Sequence, residues 1–472
     1  MAVRALVRRL VIFGAAATLG CTSAADVLVI HDVTVIDGTG TDARPGMTVV
    51  VERDRISAVG TRDAVSYPRS AHVIDGAGKF LIPGLWDMHV HLRDLEGTLP
   101  LFLVNGVTSV RDMGSVLEET VALRNAVAAG AIAGPRILTS GMAIESRTWV
   151  TQYVELMREQ GADEREVEAF LRTRIVVGDT LEAWAVVDSL RQSGADFVKI
   201  RHAESREVLA ALGAAAEAAG THLAGHYVWI IGLDESASLG QRSIEHNVLP
   251  GFNRRPEQEK ERIFTALRQH ETHLVPTLVT NAAETMPVAD VRALVEDRAG
   301  AIDPRSLYVS RAIRRSWLEI VELNARDDER PPPAIIAEMM AGSNEFLREA
   351  RAAGVAFLAG TDTPTTGTFV GFSLHDELAL LVETFAMTPM EALRSATALP
   401  AAFVGLAAEV GTIEVGKRAD LVLLDANPLV DIANTQRIDA VIANGTVYTR
   451  PARDRMLREI ASAIASADQA GR

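Results

Sequence analysis

Short apolar runs with the alternating character of β-strands open the chain and return near its end. At the start they cover 27–36, 47–59 and 72–74, and at the end 420–425 and 439–448. Neither end alone has enough strands for a stable sheet, which needs about three or more strands with a hydrophobic face. We therefore predict a small composite β-sandwich domain built from residues 26–80 and 405–450.

Between these two ends, apolar strand-like runs alternate with alanine-rich helical stretches, a pattern typical of parallel strands joined by crossover helices. The runs cover 84–92, 107–112, 136–141, 196–200, 222–227, 243–247, 273–278 and 355–362. Eight such units predict an α/β fold with a (β/α)8 TIM barrel over residues 81–404. Two long charged segments, 142–180 and 281–350, follow strand ends and should extend over the barrel mouth. Residues 451–472 are predicted to form a C-terminal helix and tail.

Composition and charge exclude several classes of protein. Hydrophobic residues make up 48% of the chain and charged residues 23%, so a largely disordered chain is excluded. The formal net charge is −15, and no basic run with interleaved aromatic residues occurs. Because an acidic surface repels phosphate backbones, we expect no nucleic-acid partner. The sequence leaves the oligomeric state open.

The first 25 residues have the features of an export signal. Three arginines precede the apolar run 10–19, which would span only about 15 Å as a helix, half of a hydrocarbon core. Residues 18–21 resemble a bacterial lipobox in which Cys21 becomes lipidated, although Thr18 departs from the usual leucine. The alternative is ordinary cleavage after Ala25. We therefore expect an exported protein, either periplasmic or held at the membrane by a lipid anchor.

The chemistry suggested by the sequence is concentrated at the ends of the predicted barrel strands. His89 and His91 lie two residues apart at the end of the first strand, so both imidazoles can face one metal ion. This pair alone is weak evidence. Four more strand ends also offer a metal-binding side chain: Lys199, His226, His246 and Asp362. Together these positions predict a metal centre at the mouth of the barrel.

The order H-x-H, K, H, H, D on strands one, four, five, six and eight resembles the amidohydrolase superfamily with a binuclear metal centre. Within it, the chain is most similar to imidazolonepropionase-like proteins and prolidase-like dipeptidases. The resemblance covers almost the whole chain after the export signal, including residues 81–84, 359–362 and 415–421. It implies that the first ion is held by His89, His91, Lys199 and Asp362, and the second by Lys199, His226 and His246. Zinc suits this ligand set, although manganese, cobalt and iron remain open.

Lys199 needs a chemical modification to act as a ligand, because an ammonium group has no lone pair. Burial and nearby cations can lower its pKa, and the free amine can then take up carbon dioxide to form a bridging carbamate. Two divalent ions with a carbamate, Asp362 and a hydroxide leave about one positive charge to stabilise an oxyanion. The alternative is an unmodified Lys199 in a salt bridge, with one ion on His89, His91, His226 and Asp362.

The resemblance implies hydrolysis by a hydroxide that bridges the metal ions. Asp362 would take the proton of the attacking water and pass it to the leaving nitrogen. We expect a hydrolase of a C–N amide bond in a small peptide or N-acyl amino acid. The alternatives are a mononuclear hydrolase of a cyclic amide or lactone ring, and a metal-free binding lipoprotein.

Polar residues beside the metal ligands are predicted to contact the substrate. They are Arg111, Ser140, Arg201, His202 and Tyr227. An ion pair between Arg111 and Asp112 is the alternative for the first of them, and the Tyr227 hydroxyl could reach a substrate carboxylate. Glu245 is expected to orient a neighbouring metal ligand from outside the coordination sphere.

Overall fold

The computed structural model describes residues 27–93, 97–247, 249–326 and 330–470. The predicted export signal and Cys21 lie outside the described residues, so export and lipidation remain predictions. Within these four ranges, no helix combines the length and the apolar character that crossing a membrane requires.

Strands from both ends of the chain form one sheet of eight strands. They are β1 (Val27–Val35), β2 (Arg44–Glu52), β3 (Arg55–Thr61), β4 (His72–Asp75), β5 (Phe80–Pro83), β15 (Leu421–Leu424), β16 (Ile438–Ala443) and β17 (Thr446–Thr449). The order is β17-β16-β15-β5-β1-β2-β3, and β4 pairs with β1. The two ends of the chain meet where β5 and β15 run antiparallel, with Pro83 opposite Leu421. Neither end completes this sheet without the other.

The run 47–59, predicted as one strand, is a hairpin. Strands β2 and β3 pair antiparallel, and Glu52 lies opposite Arg55. Arg53, at the turn between them, has a φ of 59°. The prediction is wrong at this point because the polar residues 52–55 form the turn that reverses the chain.

Nine further strands belong to the central domain: β6 (Leu85–Val90), β7 (Val107–Asp112), β8 (Arg136–Thr139), β9 (Ala143–Ser146), β10 (Arg174–Val177), β11 (Val198–Ile200), β12 (Leu223–His226), β13 (Gln241–Glu245) and β14 (His273–Val275). One parallel sheet has the order β6-β7-β8, and another has the order β10-β9-β11-β12-β13-β14. The backbone N–H of Asp196, just before β11, donates to the carbonyl of Thr139 at 2.7 Å and connects the two sheets. Strand β9 then continues beside β11 where β8 ends.

The eighth predicted strand, 355–362, closes the barrel as an extended segment with two isolated bridges. Phe357 pairs in parallel with Leu274 of β14, and Thr363 pairs in parallel with Val90 of β6. The segment lies so close to β6 that a Cβ atom on Gly360 would be 2.9 Å from the Cβ of His89. It leaves the strand conformation at its end because Asp362 has a φ of 55°. The predicted α/β fold, a barrel with a small domain from both termini, is confirmed.

Helices alternate with the strands of the barrel and follow the last of them. They are α1 (Pro100–Val104), α2 (Leu117–Ala128), α3 (Arg147–Glu159), α4 (Glu164–Leu171), α5 (Thr180–Gln192), α6 (Arg206–Ala218), α7 (Leu233–Ser238), α8 (Glu257–Gln269), α9 (Asn281–Thr285), α10 (Val288–Glu296), α11 (Arg311–Arg326), α12 (Pro333–Ala352), α13 (Ser373–Phe385), α14 (Pro389–Ser395), α15 (Ala398–Phe403) and α16 (Arg450–Ala470). The long segment 281–350 contains helices α9, α10 and α11 and most of α12. The segment 142–180 contains α3 and α4 but also β9 and β10, which the sequence pattern did not predict.

Gly225 of β12 should be essential for the barrel. Its φ is +145°, and a Cβ atom there would lie 1.8 Å from the carbonyl oxygen of Ile200 in β11. We expect Gly225→Ala to lower the free energy of unfolding by about 3 kcal/mol or more, because backbone strain and overpacking add. The control is Gly220→Ala, where φ is +65° with no heavy atom within 4 Å, and the expected loss is about 1–2 kcal/mol. Equal losses in chemical denaturation would contradict the close approach.

Candidate metal centre and active site

The structure brings all six predicted metal ligands to one end of the barrel. They lie in β6 or just after it, in β11, at the end of β12, just after β13, and at the end of the closing segment: His89, His91, Lys199, His226, His246 and Asp362. Because the carboxyl ends of parallel strands meet at one face of a barrel, residues far apart in the chain converge here.

Three of these residues form a tight group. The Nε2 atoms of His89 and His91 lie 3.4 Å and 3.1 Å from Oδ1 of Asp362. Within the described ranges, this is the one group of three or more histidine, cysteine, aspartate and glutamate side chains whose donor atoms all lie within 4.8 Å of one another. The Nε2 atom of His89 and the Oδ1 atom of Asp362 are buried without a hydrogen-bond partner. Buried polar atoms are normally paired, so these lone pairs fit a bound cation.

The other three residues adjoin this group. The ring of His246 lies 4.7 Å from that of His89 and 4.9 Å from that of His226, measured between centroids. Lys199 is only 1% exposed. Its charge is near enough to lower the pKa of both His89 and His226. The arrangement is compatible with a second ion beside the first.

Two of the six residues have an unusual backbone conformation. The φ angles of His246 and Asp362 are 69° and 55°, in the left-handed region that costs side-chain-bearing residues about 1–3 kcal/mol each. Both are held by backbone hydrogen bonds of 2.7 Å, from His246 to the carbonyl of Val275 and from Asp362 to that of His89. The Nδ1 atom of His246 also lies 2.9 Å from the hydroxyl of Thr277. These contacts hold both side chains at the centre.

Burial sets the protonation states needed for metal binding. It lowers the pKa of His89 and His226 well below the usual value, with Lys199 adding to the effect, and it lowers that of His246 to about 4. The imidazoles are therefore neutral near pH 7 and have a free lone pair. Burial alone would raise the pKa of Asp362, but the positive charge that His89 and His246 carry when protonated, together with the contact with His91, outweighs it and holds the pKa well below its usual range. Asp362 is thus ionised.

His89 is oriented by a buried chain of charged groups. Its Nδ1 atom lies 2.9 Å from Oε2 of Glu245, whose other oxygen accepts a hydrogen bond of 2.8 Å from Nη2 of Arg111. Arg111 also donates to the carbonyl of Met88 and to the hydroxyl of Ser243. A carboxylate on one ring nitrogen fixes the tautomer and leaves the other nitrogen free for a metal. Glu245 therefore has the orienting contact expected from the sequence.

Two predicted substrate contacts do not agree with the structure. Arg111 and Ser140 are fully buried, and the donors of Arg111 are used inside the barrel. The alternative ion pair with Asp112 is also wrong, because Arg111 reaches across the barrel to Glu245. Asp112 instead accepts a hydrogen bond of 2.7 Å from the hydroxyl of Thr139. The reason is that a buried guanidinium pairs with the carboxylate beside it in space, which need not be its neighbour in the chain.

The other predicted contacts lie nearer the mouth. Arg201 and His202 each leave 29% of the side chain exposed, and both approach the fully buried carboxylate of Glu145. Tyr227 is mostly buried and packs edge-on against Phe252. Substrate binding by these residues remains a prediction. Glu145 is not among the residues predicted from the sequence, although a single acid at the end of the apolar run of β9 is a signal for it.

The model of the amidohydrolase family matches residues 80–448. The chain belongs to the amidohydrolase family. This confirms the resemblance seen in the strand-end motifs. It also supports the expectation of an enzyme that hydrolyses C–N bonds.

Among the relatives of this amidohydrolase, the ochratoxinase of Aspergillus niger is 25% identical over 466 residues, which cover 90% of this chain and 86% of that enzyme. An imidazolonepropionase of Sphingopyxis alaskensis is 38% identical over 98 residues, only 19% of this chain and 24% of that protein. A solved prolidase structure complexed with N-methylphosphonate-L-proline has a TM-score of 0.66 at 26% identity and covers 90% of this chain and 100% of its own. The similarity to whole relatives is therefore distant, and the local similarity is higher.

Arg111 should support both the fold and the metal site of this amidohydrolase. Arg111→Met leaves the Glu245 carboxylate buried without its cation, and breaking a buried pair costs about 3–5 kcal/mol of unfolding free energy. The double variant Arg111→Met/Glu245→Met should recover most of that loss. The double variant should also bind Zn²⁺ about 10- to 100-fold more weakly, because His89 loses the carboxylate that orients it. Denaturation of the metal-free protein and competition with a chelator measure the two effects.

A double variant that binds Zn²⁺ as tightly as the unmodified protein would show that Glu245 does not orient His89. Unchanged stability of Arg111→Met would show that the ion pair is not needed for folding.

Proposed function

We propose that the protein is a metal-dependent hydrolase of a C–N amide bond in a small peptide or N-acyl amino acid. The observation that carries this proposal is the convergence of His89, His91 and Asp362 at the barrel mouth, where Nε2 of His89 and Oδ1 of Asp362 are buried without a hydrogen-bond partner. A bound cation would give these two atoms a partner. The long match with ochratoxinase and the prolidase fold both support hydrolysis of an amide.

Zinc or another divalent ion, when bound, would lower the pKa of a water molecule and polarise the substrate carbonyl. The chain contributes the surrounding groups. Ionised Asp362 can accept a proton on a carboxylate oxygen and later donate it to the leaving nitrogen. Neutral His89, His226 and His246, together with His91, would supply ring nitrogens for the ions. The Glu245 carboxylate holds the ring of His89 in place.

Lys199 has the environment that a carbamate requires. Burial lowers its pKa to about 8, although Glu245 and Asp362 oppose the shift. A substantial fraction of the amine is then uncharged near pH 8 and can attack carbon dioxide. The N–C bond forms as a proton leaves to solvent, and the lysine becomes an anion with two oxygens. We propose that this carbamate bridges the two ions.

A mononuclear site is the second candidate. The tight group contains only His89, His91 and Asp362, which is enough for a single ion with one further ligand from His226. The local similarity to imidazolonepropionase is in keeping with this alternative and with hydrolysis of a ring. The metal content of the active protein separates the two candidates.

Asp362→Asn tests the proposed reaction. The amide keeps the size of the side chain but cannot accept a proton, and general acid–base groups contribute about 10²- to 10⁴-fold to rates. We expect metal-replete protein to hydrolyse members of a library of dipeptides and N-acyl amino acids, and Asp362→Asn to lower kcat by a factor in that range. Asp188→Asn on the exposed face of α5 is the control. Hydrolysis of cyclic amides or lactones alone, or of no compound, would refute the proposal.

Lys199→Ala tests the bridge. We expect one ion per chain instead of two, loss of most activity, and partial rescue by short carboxylic acids that replace the carbamate. At constant CO₂ pressure, reconstitution of the unmodified protein should accelerate as pH rises through about 8, because the neutral amine is the reactive form. Lys260→Ala, on α8 and paired with Glu257 and Glu349, is the matched control. Two ions and full activity in Lys199→Ala would rule out the bridge.

A further inference from the structure

Two arginines and a histidine surround one buried carboxylate beside the metal centre. The side chain of Glu145, in β9, is fully buried, and its Oε2 atom lies 2.6 Å from Nδ1 of His202. Its Oε1 atom lies 3.3 Å from Nη1 of Arg201 and 3.5 Å from Nε of Arg174. Two guanidinium groups and an imidazole thus share one negative charge. We call Glu145, Arg174, Arg201 and His202 the Glu145 cluster.

Aromatic rings pack against these arginine and histidine side chains. His202 stacks on Trp149 at 4.4 Å, and Tyr153 stacks on Trp149 at 4.9 Å. The guanidinium of Arg201 lies 5.8 Å from the centre of the Trp149 ring, and that of Arg174 lies 3.8 Å from the Phe170 ring. Stacking on rings restricts the motion of a guanidinium and lowers the entropy lost on binding an anion.

Arg201 belongs to the Glu145 cluster and is also close to the metal ligands. It directly follows β11, two residues after Lys199, and its charge is near enough to lower the pKa of both Lys199 and His226. It is also 29% exposed at the mouth. An anion bound to Arg201 would therefore lie beside the reacting bond of a substrate held at the metal centre.

Arg201 also keeps donors available. A guanidinium has five N–H donors, and within the described ranges Glu145 is its one ion-pair partner. Arg174, by contrast, donates to the carbonyl of Phe170 and to the hydroxyl of Thr173. The protein has a net charge of −15. The positive charge of Arg174 and Arg201 near the mouth is therefore opposite in sign to the charge of the whole chain. Such a local field attracts anionic ligands.

We propose that Arg201 binds a carboxylate group of the substrate and thereby selects peptides or N-acyl amino acids with a free carboxylate next to the scissile amide. Glu145 and His202 act as positioning residues that orient Arg201 against Trp149. This proposal rests on the proposed amide hydrolysis, and it adds which end of the substrate is recognised and by which residue.

The kinetic test compares N-acyl amino acids with the matching carboxamides. The unmodified enzyme should prefer the free acids, and Arg201→Gln should lower kcat/KM for them by about 10- to 100-fold, as expected for a charged hydrogen bond. The loss should lie mainly in KM, and the carboxamides should be little affected. Arg201→Lys, which keeps the charge, should recover part of the loss. The control is Arg172→Gln, because Arg172 is an exposed arginine of the segment 142–180 that pairs with Glu119 instead of Glu145.

A binding test separates this proposal from the proposed reaction. In calorimetry, 4-phenylbutyrate, which has no amide to hydrolyse, should bind the metal-replete enzyme more tightly than neutral 4-phenylbutanol, and Arg201→Gln should remove that difference. If Arg201→Gln removes this preference for 4-phenylbutyrate but the enzyme hydrolyses no amide, the proposed function is refuted and the anion site is retained. Equal loss of acid and carboxamide activity in Arg201→Gln, or unchanged 4-phenylbutyrate binding, would overturn the anion site and leave Arg201 with a structural role.

Discussion

The guanidinium of Arg111 and the carboxylate of Glu245 lie together in the interior of the barrel, both without solvent exposure. Removing two such ions from water costs several kcal/mol each, so each depends on the other and on further hydrogen bonds. Arg111 obtains these from Met88 and Ser243. Its guanidinium also lies 5.5 Å and 5.4 Å from the rings of Phe197 and Phe403. The pair connects β7 to β13 through the centre of the fold.

The metal site depends on this interior pair. Glu245 contacts one nitrogen of His89, so the other nitrogen is left facing Asp362. The closing segment can reach His89 because Gly360 has no side chain, and Asp362 then turns toward the histidines in a left-handed conformation. Burial keeps the imidazoles neutral. The same features that support the barrel therefore create a set of unpaired donor atoms at its mouth.

The segment between β8 and α5, residues 140–179, contributes residues to the Glu145 cluster. It supplies Glu145, Trp149 and Arg174, and the first barrel residues after Lys199 supply Arg201 and His202. Two relatives can share the residues that bind the metal and still differ in the residues at the barrel mouth that contact the substrate. We propose that the Glu145 cluster is the part of this chain in which such selectivity arises from charged side chains.

The spacing of apolar and polar residues determined the secondary structure and the fold class of this protein. It could do so because strand alternation and the strand–helix repeat are local properties of the chain. They were sufficient to predict the barrel, the sheet formed by both termini, and the six strand-end residues that the structure brings together. Tertiary structure decided the partners of buried charges. Arg111 pairs with Glu245, which is 134 residues away in the chain. Glu145 pairs with Arg174 of β10 and with Arg201, which follows β11. Such pairs form by approach through space in a medium of low dielectric constant, which no local pattern records.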